Sequence, residues 1–213
     1  MSALSAARET PPVTTPAAQD PPPAPKFTVP EYLERERQSE VRHEYVNGVI
    51  LAMAGETPRH NRIAGNVYLK LETEFGDRPC TAFFEGVRVR VSPTQYRYPD
   101  VTALCGDPQF DADNPPSLLN PTVIVEVLSA STEGTDRGEK FSEYRQLVGL
   151  TDYILVTQEE PLVIHYARQS PTRWEVVEYT TLSERLTIAS LEVSLSLADI
   201  YRKIDFPAHH QPS

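Results

Sequence analysis

Val123-Ile124-Val125-Glu126-Val127-Leu128 is the stretch that decides the fold. Apolar residues at both alternating sets of positions describe a central strand covered on both faces. Glu126 is the exception. A carboxylate in such a place would take up a proton unless a cation or several donors faced it. Tyr98-Pro99-Asp100 opens a second apolar run, read as one strand from Tyr98 to Leu104. Downstream, a helix over about 136–147 carries Asp136, Lys140 and Tyr144 at i, i+4 and i+8, on one face.

Working outward, the elements alternate in type. Thr28-x-x-Glu31 is a capping-box pattern and starts a helix running to about Gln38. Asn47-Gly48 between Arg42–Val46 and Val49–Met53 predicts a hairpin. Thr57-Pro58 opens a longer helix with Ile63, Val67, Leu71 and Phe75 on one stripe, stopped at Gly76. Thr81 to Val91 alternates and reads as one strand, with Arg88 and Arg90 on its wet face. Shorter strands follow at 153–156, 162–166, 174–179 and 186–188, then a last helical turn at 197–202. The sum is an α/β domain, with a mixed central sheet flanked by helices, an added N-terminal hairpin and C-terminal strands.

Residues 27–205 hold this domain. Eight of the 20 prolines fall in the first 30 residues, so residues 1–26 read as a disordered Pro-rich segment, and 206–213 as a flexible tail. No apolar run approaches a membrane span, and the N-terminus has no apolar signal region, so a cytoplasmic protein is expected. Cys80 and Cys105 form no metal-ligand spacing and read as two reduced, buried thiols. The net charge of −10 argues against nonspecific coating of nucleic acid. Any DNA contact then needs local cations: Arg88, Arg90, Arg97 or the Arg59-His60-Arg62 cluster.

Two carboxylates on neighbouring strands, Asp100 and Glu126, supply the oxygen ligands that Mg²⁺ prefers, with Mn²⁺ able to substitute. Lys140 on a helix packed back onto the sheet would orient water or stabilise phosphate charge. Plainer readings stand beside these. Asp100 could cap a turn, Lys140 could pair with Asp136, and Tyr144 could be a packing aromatic. His60 could be a solvated helical histidine or a phosphate contact, and Glu44 could be a hairpin ion pair.

These residues resemble a known family. Glu44-Tyr45-Val46-Asn47-Gly48, Met53-Ala54-Gly55, His60, Tyr98-Pro99-Asp100-Val101, Val125-Glu126-Val127-Leu128-Ser129-x-Ser131-Thr132, Asp136-x-x-x-Lys140-x-x-x-Tyr144 and Asp152-Tyr153-Ile154-Leu155-Val156 resemble, in order and spacing, the Uma-two family of restriction endonucleases. That family falls within the PD-(D/E)XK nuclease superfamily. The resemblance implies a restriction-endonuclease-like core and hydrolysis of DNA phosphodiesters by metal-activated water. It implies Mg²⁺ at Asp100 and Glu126, with the Val127 carbonyl as third ligand and Glu44 as an added carboxylate; His60 and Tyr144 are candidate substrate contacts beside them, and Arg88 and Arg90, on a wet strand face, either solubilise it or suit phosphate binding. Leu128 stands where the superfamily motif has lysine, and the resemblance implies that Lys140 has taken over. A catalytically inactive protein of the same fold, binding nucleic acid or a protein partner, is the alternative. A homodimer is expected, since a cutter of both DNA strands benefits from paired sites.

Overall fold

The computed structural model describes residues 25–53, 55–129, 134 and 136–206. The expected disordered segment (up to residue 24), the expected tail (from residue 207), and Ala54, Ser131 and Thr132 of the motifs lie outside the described residues. Among the described residues, no helix is long and apolar enough to cross a membrane.

Helix α1 (Val29–Gln38) begins at Thr28, whose side chain and Glu31 close the expected capping box. The hairpin follows as β1 (His43–Val46) and β2 (Val49–Ala52). Asn47 and Gly48 both take positive φ, 49° and 97°, as a tight two-residue turn requires. Helix α2 (Pro58–Phe75) runs from the Thr57 cap to Gly76.

The expected single strand over 81–91 is two strands in two sheets. Strand β3 (Cys80–Phe84) ends where Glu85 and Gly86 enter the left-handed region (φ 43° and 78°), and β4 (Arg88–Ser92) leaves in a new direction. A Cβ at Gly86 would meet the end of the exposed Arg42 side chain, which can swing aside, so it is the positive φ that favours glycine in this turn. Likewise the expected strand over 98–104 is β5 (Gln95–Arg97) and β6 (Val101–Cys105). Tyr98-Pro99-Asp100 is the crossing between the two sheets, because proline gives the chain no donor for a ladder there.

The first sheet has the order β2-β1-β5-β4-β7, with β7 at Ser117–Leu118. The hairpin is thus the edge of a five-stranded sheet. The second sheet is β11-β10-β9-β8-β6-β3. It contains β8 (Val123–Val127), β9 (Asp152–Val156), β10 (Val163–Ser170) and β11 (Arg173–Tyr179). Strands β8 and β9 are parallel and the other pairs of this sheet antiparallel. Among the described residues, strands β12 (Arg185–Ile188) and β13 (Val193–Ser196) pair only with each other, and β13 is an addition to the expected strands.

Alternation along β8 sorts the core. Val123, Val125 and Val127 pack with Ile63, Val67 and Leu71 of α2. Ile124 and Leu128 face the opposite way, toward Tyr144, Leu147 and Leu155. The expected helix over 136–147 is shorter: a π-helical turn at Asp136–Lys140 leads into one α-turn at Phe141–Tyr144.

Cys80 and Cys105 are joined in a disulfide, which corrects the expectation of two free, buried thiols. They are direct partners in the β3–β6 ladder, so register brings together what 25 residues separate in sequence.

Candidate active site

Glu126 shares a face with Ile124 and Leu128, so it points toward the segment that follows β8. Two groups from that segment meet it. Lys140 Nζ lies 3.0 Å and Tyr144 Oη 2.9 Å from Glu126 Oε1. Lys140 also lies 2.9 Å from Asp136 Oδ1 and 4.0 Å from Glu44 Oε1. The π-helical turn holds its position partly through Tyr153, whose hydroxyl donates to the Asp136 carbonyl at 3.0 Å.

Asp100 arrives from the crossing between the sheets. Its Oδ2 accepts from the Val127 backbone N–H at 2.6 Å, the amide next to Glu126. Its Oδ1 lies 2.9 Å from His60 Nε2, and His60 Nδ1 lies 3.0 Å from Glu56 Oε2. His60 is held in the first turn of α2, where its N–H bonds the Thr57 cap at 3.1 Å.

These groups line one cleft of about 360 Å³, together with Glu44, Arg97 and Gln158. Glu44 pairs with Arg97 at 2.5 Å, and Arg97 also holds Glu143 at 2.8 Å, so the hairpin is tied to the helical turn beyond Lys140. Gln158 bridges α2 to β8, accepting from Thr57 and donating to the Leu128 carbonyl at 2.8 Å.

The charges do not balance. Glu44, Glu56, Asp100, Glu126 and Asp136 line the cleft, against Arg97 and Lys140 as fixed cations. Burial, opposed by Lys140, pushes the Glu126 carboxyl up to about 8. Burial works against the Lys140 ammonium, but Glu126, Glu44 and Asp136 outweigh it and hold its pKa above the usual range. Burial likewise opposes His60 protonation, and Asp100 with Glu56 reverses that, raising the imidazole. Asp136 Oδ1 is buried with no hydrogen bond, and so are both ring nitrogens of His60. A surplus of buried carboxylate oxygen suits a divalent cation. Glu56, His60 and Asp100 offer ligand atoms all within 4.8 Å of one another.

Most of the expected residues therefore converge: Asp100, Glu126, Val127, Lys140, Glu44 and His60 all line the cleft. Three expected contacts do not. Arg88, expected on a wet face, is 1% exposed; it bonds Ser117 and the Pro115 carbonyl and lies against the rings of Tyr32 and Tyr96. Strand β4 belongs to the first sheet, whose two faces are both covered at that point. Arg90 lies outside the cleft, 3.9 Å from Asp111. Tyr144 is fully buried, so it reaches Glu126 and no substrate. Arg97, read as a possible DNA contact, is a buried tie between two carboxylates. Sequence reading missed Glu56 and Glu143; the placement of Glu56 four residues before His60 was the available signal.

Residues 29–199 match the Uma2 family, whose description reads "Putative restriction endonuclease". Two proteins of Synechocystis sp. are similar along most of the chain. Uncharacterized protein sll1609 is 35% identical over 153 residues, covering 71% of this chain and 86% of the relative. Uncharacterized protein slr1290 is 32% identical over 185 residues, covering 86% and 96%. A crystal structure from Anabaena variabilis, titled as that of "a putative nuclease belonging to DUF820", superposes with a TM-score of 0.67 at 18% identity. It covers 82% of this chain and 97% of that one, a likeness of fold.

Proposed function

The chain belongs to the Uma2 family, and from that membership we propose that it is a divalent-metal-dependent endonuclease hydrolysing DNA phosphodiester bonds. The observation that carries the reading is the meeting of Asp100, Glu126 and Lys140 in one cleft.

In this reading Asp100, Glu126 and the Val127 carbonyl hold Mg²⁺, which Mn²⁺ can replace. A bound divalent cation lowers the pKa of water and polarises a phosphoryl oxygen. The residues do the rest. The Val127 amide fixes Asp100 through the hydrogen bond to Oδ2. Tyr144 and Lys140 both fix Glu126 through its Oε1. Lys140 carries positive charge to the cleft wall, where charge accumulates on a phosphate under attack. Leu128, in the motif position for lysine, is buried in the core, and Lys140 approaches the same carboxylate from the following segment. The supports are this geometry, the excess of buried carboxylate and the family membership. We take the cutting unit to be a two-fold dimer, so that two clefts address the two strands.

Asp100→Asn and Glu126→Gln test the proposal with supercoiled plasmid and Mg²⁺ or Mn²⁺. Each is expected to slow nicking by at least about 10²-fold while the circular-dichroism spectrum is kept. A folded Asp100→Asn protein that nicks as fast as the parent, from a nuclease-free preparation, overturns the reading.

A further inference from the structure

His60 sits at hydrogen-bond distance from two carboxylates without making a hydrogen bond to either. Its Nε2 is 2.9 Å from Asp100 Oδ1 and its Nδ1 is 3.0 Å from Glu56 Oε2. Both nitrogens are buried, and neither contact has hydrogen-bond direction. Two donors at right angles on one cation, each about 2.1 Å from it, stand about 3 Å apart. In that arrangement the oxygen lies well off the axis of the nitrogen lone pair. The Nε2–Asp100 contact has this form, close in distance and misaligned in angle.

The surroundings agree. Asp100 gives Oδ2 to the Val127 amide, which leaves Oδ1, the oxygen beside His60, as the one turned to the cleft. His60 is 4% exposed, and its backbone N–H is held by the Thr57 cap at the start of α2. Glu56 is on the Nδ1 side, and its side chain is 38% exposed, so a rotation about its own bonds brings the carboxylate onto an Nδ1 proton. A metal-bound imidazole commonly passes its other N–H to a carboxylate in this way.

We propose that His60 binds, through Nε2, the same divalent cation as Asp100, with Glu56 fixing the imidazole by accepting its Nδ1 proton. The centre is therefore a mixed nitrogen–oxygen site. Such a donor set favours Mn²⁺, Co²⁺ or Zn²⁺ over Mg²⁺, which takes oxygen donors. The proposal rests on the reading of Asp100 as a metal ligand. A protonated His60 held as a plain ion pair is the competing account.

The test is the full chain loaded with Mn²⁺, read by pulsed electron paramagnetic resonance for directly bound nitrogen, with Mn²⁺ and Mg²⁺ affinities by calorimetry. The parent is expected to show nitrogen coupling. It is lost in His60→Gln and kept in the double substitution His209→Ala/His210→Ala, which removes the histidines of the C-terminal tail. Mn²⁺ affinity is expected to fall about 10–100-fold in His60→Gln and about 10-fold in Glu56→Gln, with a far smaller change for Mg²⁺. A parent that binds Mn²⁺ with no nitrogen coupling overturns this inference and leaves Asp100 as a ligand. Coupling that persists in His60→Gln, or disappears in the tail variant, also overturns it. A parent that binds no divalent cation removes both readings. If His60→Gln does not fold, the parent and the tail variant still decide between these outcomes.

Discussion

Lys140 is held by three carboxylates at once, Glu126, Asp136 and Glu44. That density of negative charge is why it stays an ammonium in a buried place, and why its loss would be felt in two opposite ways. Lys140→Met removes the charge proposed to face the phosphate, so cleavage is expected to fall by at least about 10²-fold. The same change removes a cation competing for Glu126, so calorimetry is expected to show divalent-metal affinity equal to or higher than the parent's. A variant with weakened metal binding and unchanged cleavage would contradict both halves. At this scale much was legible. Glu126 needed a partner because strand alternation placed it inside, and Lys140 lay one helix later. Arg88 and Arg97 were not legible. Both alternate with apolar residues as surface arginines do, and only a second layer of tyrosines or carboxylates decides otherwise.

The elements were legible where a local signal fixed them. The capping box at Thr28, the Asn47-Gly48 turn and the Thr57–Gly76 helix all came from short-range chemistry. The strand breaks within 81–91 and 98–104 are not legible locally, because a run of alternating residues does not say at which residue it changes sheet. A local tie worth testing is in β9. Asp152 meets His165 at 2.7 Å and accepts from Ser190 and Thr151, both at 2.6 Å. Burial opposes the charge, but these hydrogen bonds outweigh it and hold the carboxyl below the usual range. An unfolded Asp titrates near about 3.9. The unfolded chain therefore binds the proton first as pH falls, and the stabilisation from Asp152 is present above about pH 4 and lost below it. Urea unfolding of Asp152→Asn is expected to show a deficit of about 1.5–3 kcal/mol at pH 7 that shrinks toward pH 3. A deficit of constant size across that range would refute the assignment.

The whole molecule carries a net charge of −10, so its cleft cannot draw DNA by charge alone. In the proposed activity a bound divalent cation would offset part of that negative charge at the cleft. Strand β11 ends the larger sheet, and it exposes Val176 and Val177 at 52% and 37%. An open edge with exposed apolar residues is a place for a second chain to add on. Light scattering behind size exclusion is expected to give twice the 23.9 kDa of one chain, and Val176→Lys is expected to shift it to the monomer. A parent that stays monomeric at tens of micromolar, on the order used for such measurements, would refute the dimer.

The sequence by itself determined that an α/β sheet would hold the candidate residues Asp100, Glu126 and Lys140, because burial of Glu126 within an apolar strand, the caps and the turns are local demands that any fold must meet. Only the tertiary structure decided that Asp100 sits on the crossing between two sheets, that His60 and Glu56 stand beside it, that Arg88 is interior and that Cys80 pairs with Cys105. Those outcomes depend on which strands become neighbours, and neighbourhood is set by packing of the whole chain, which no window of residues contains.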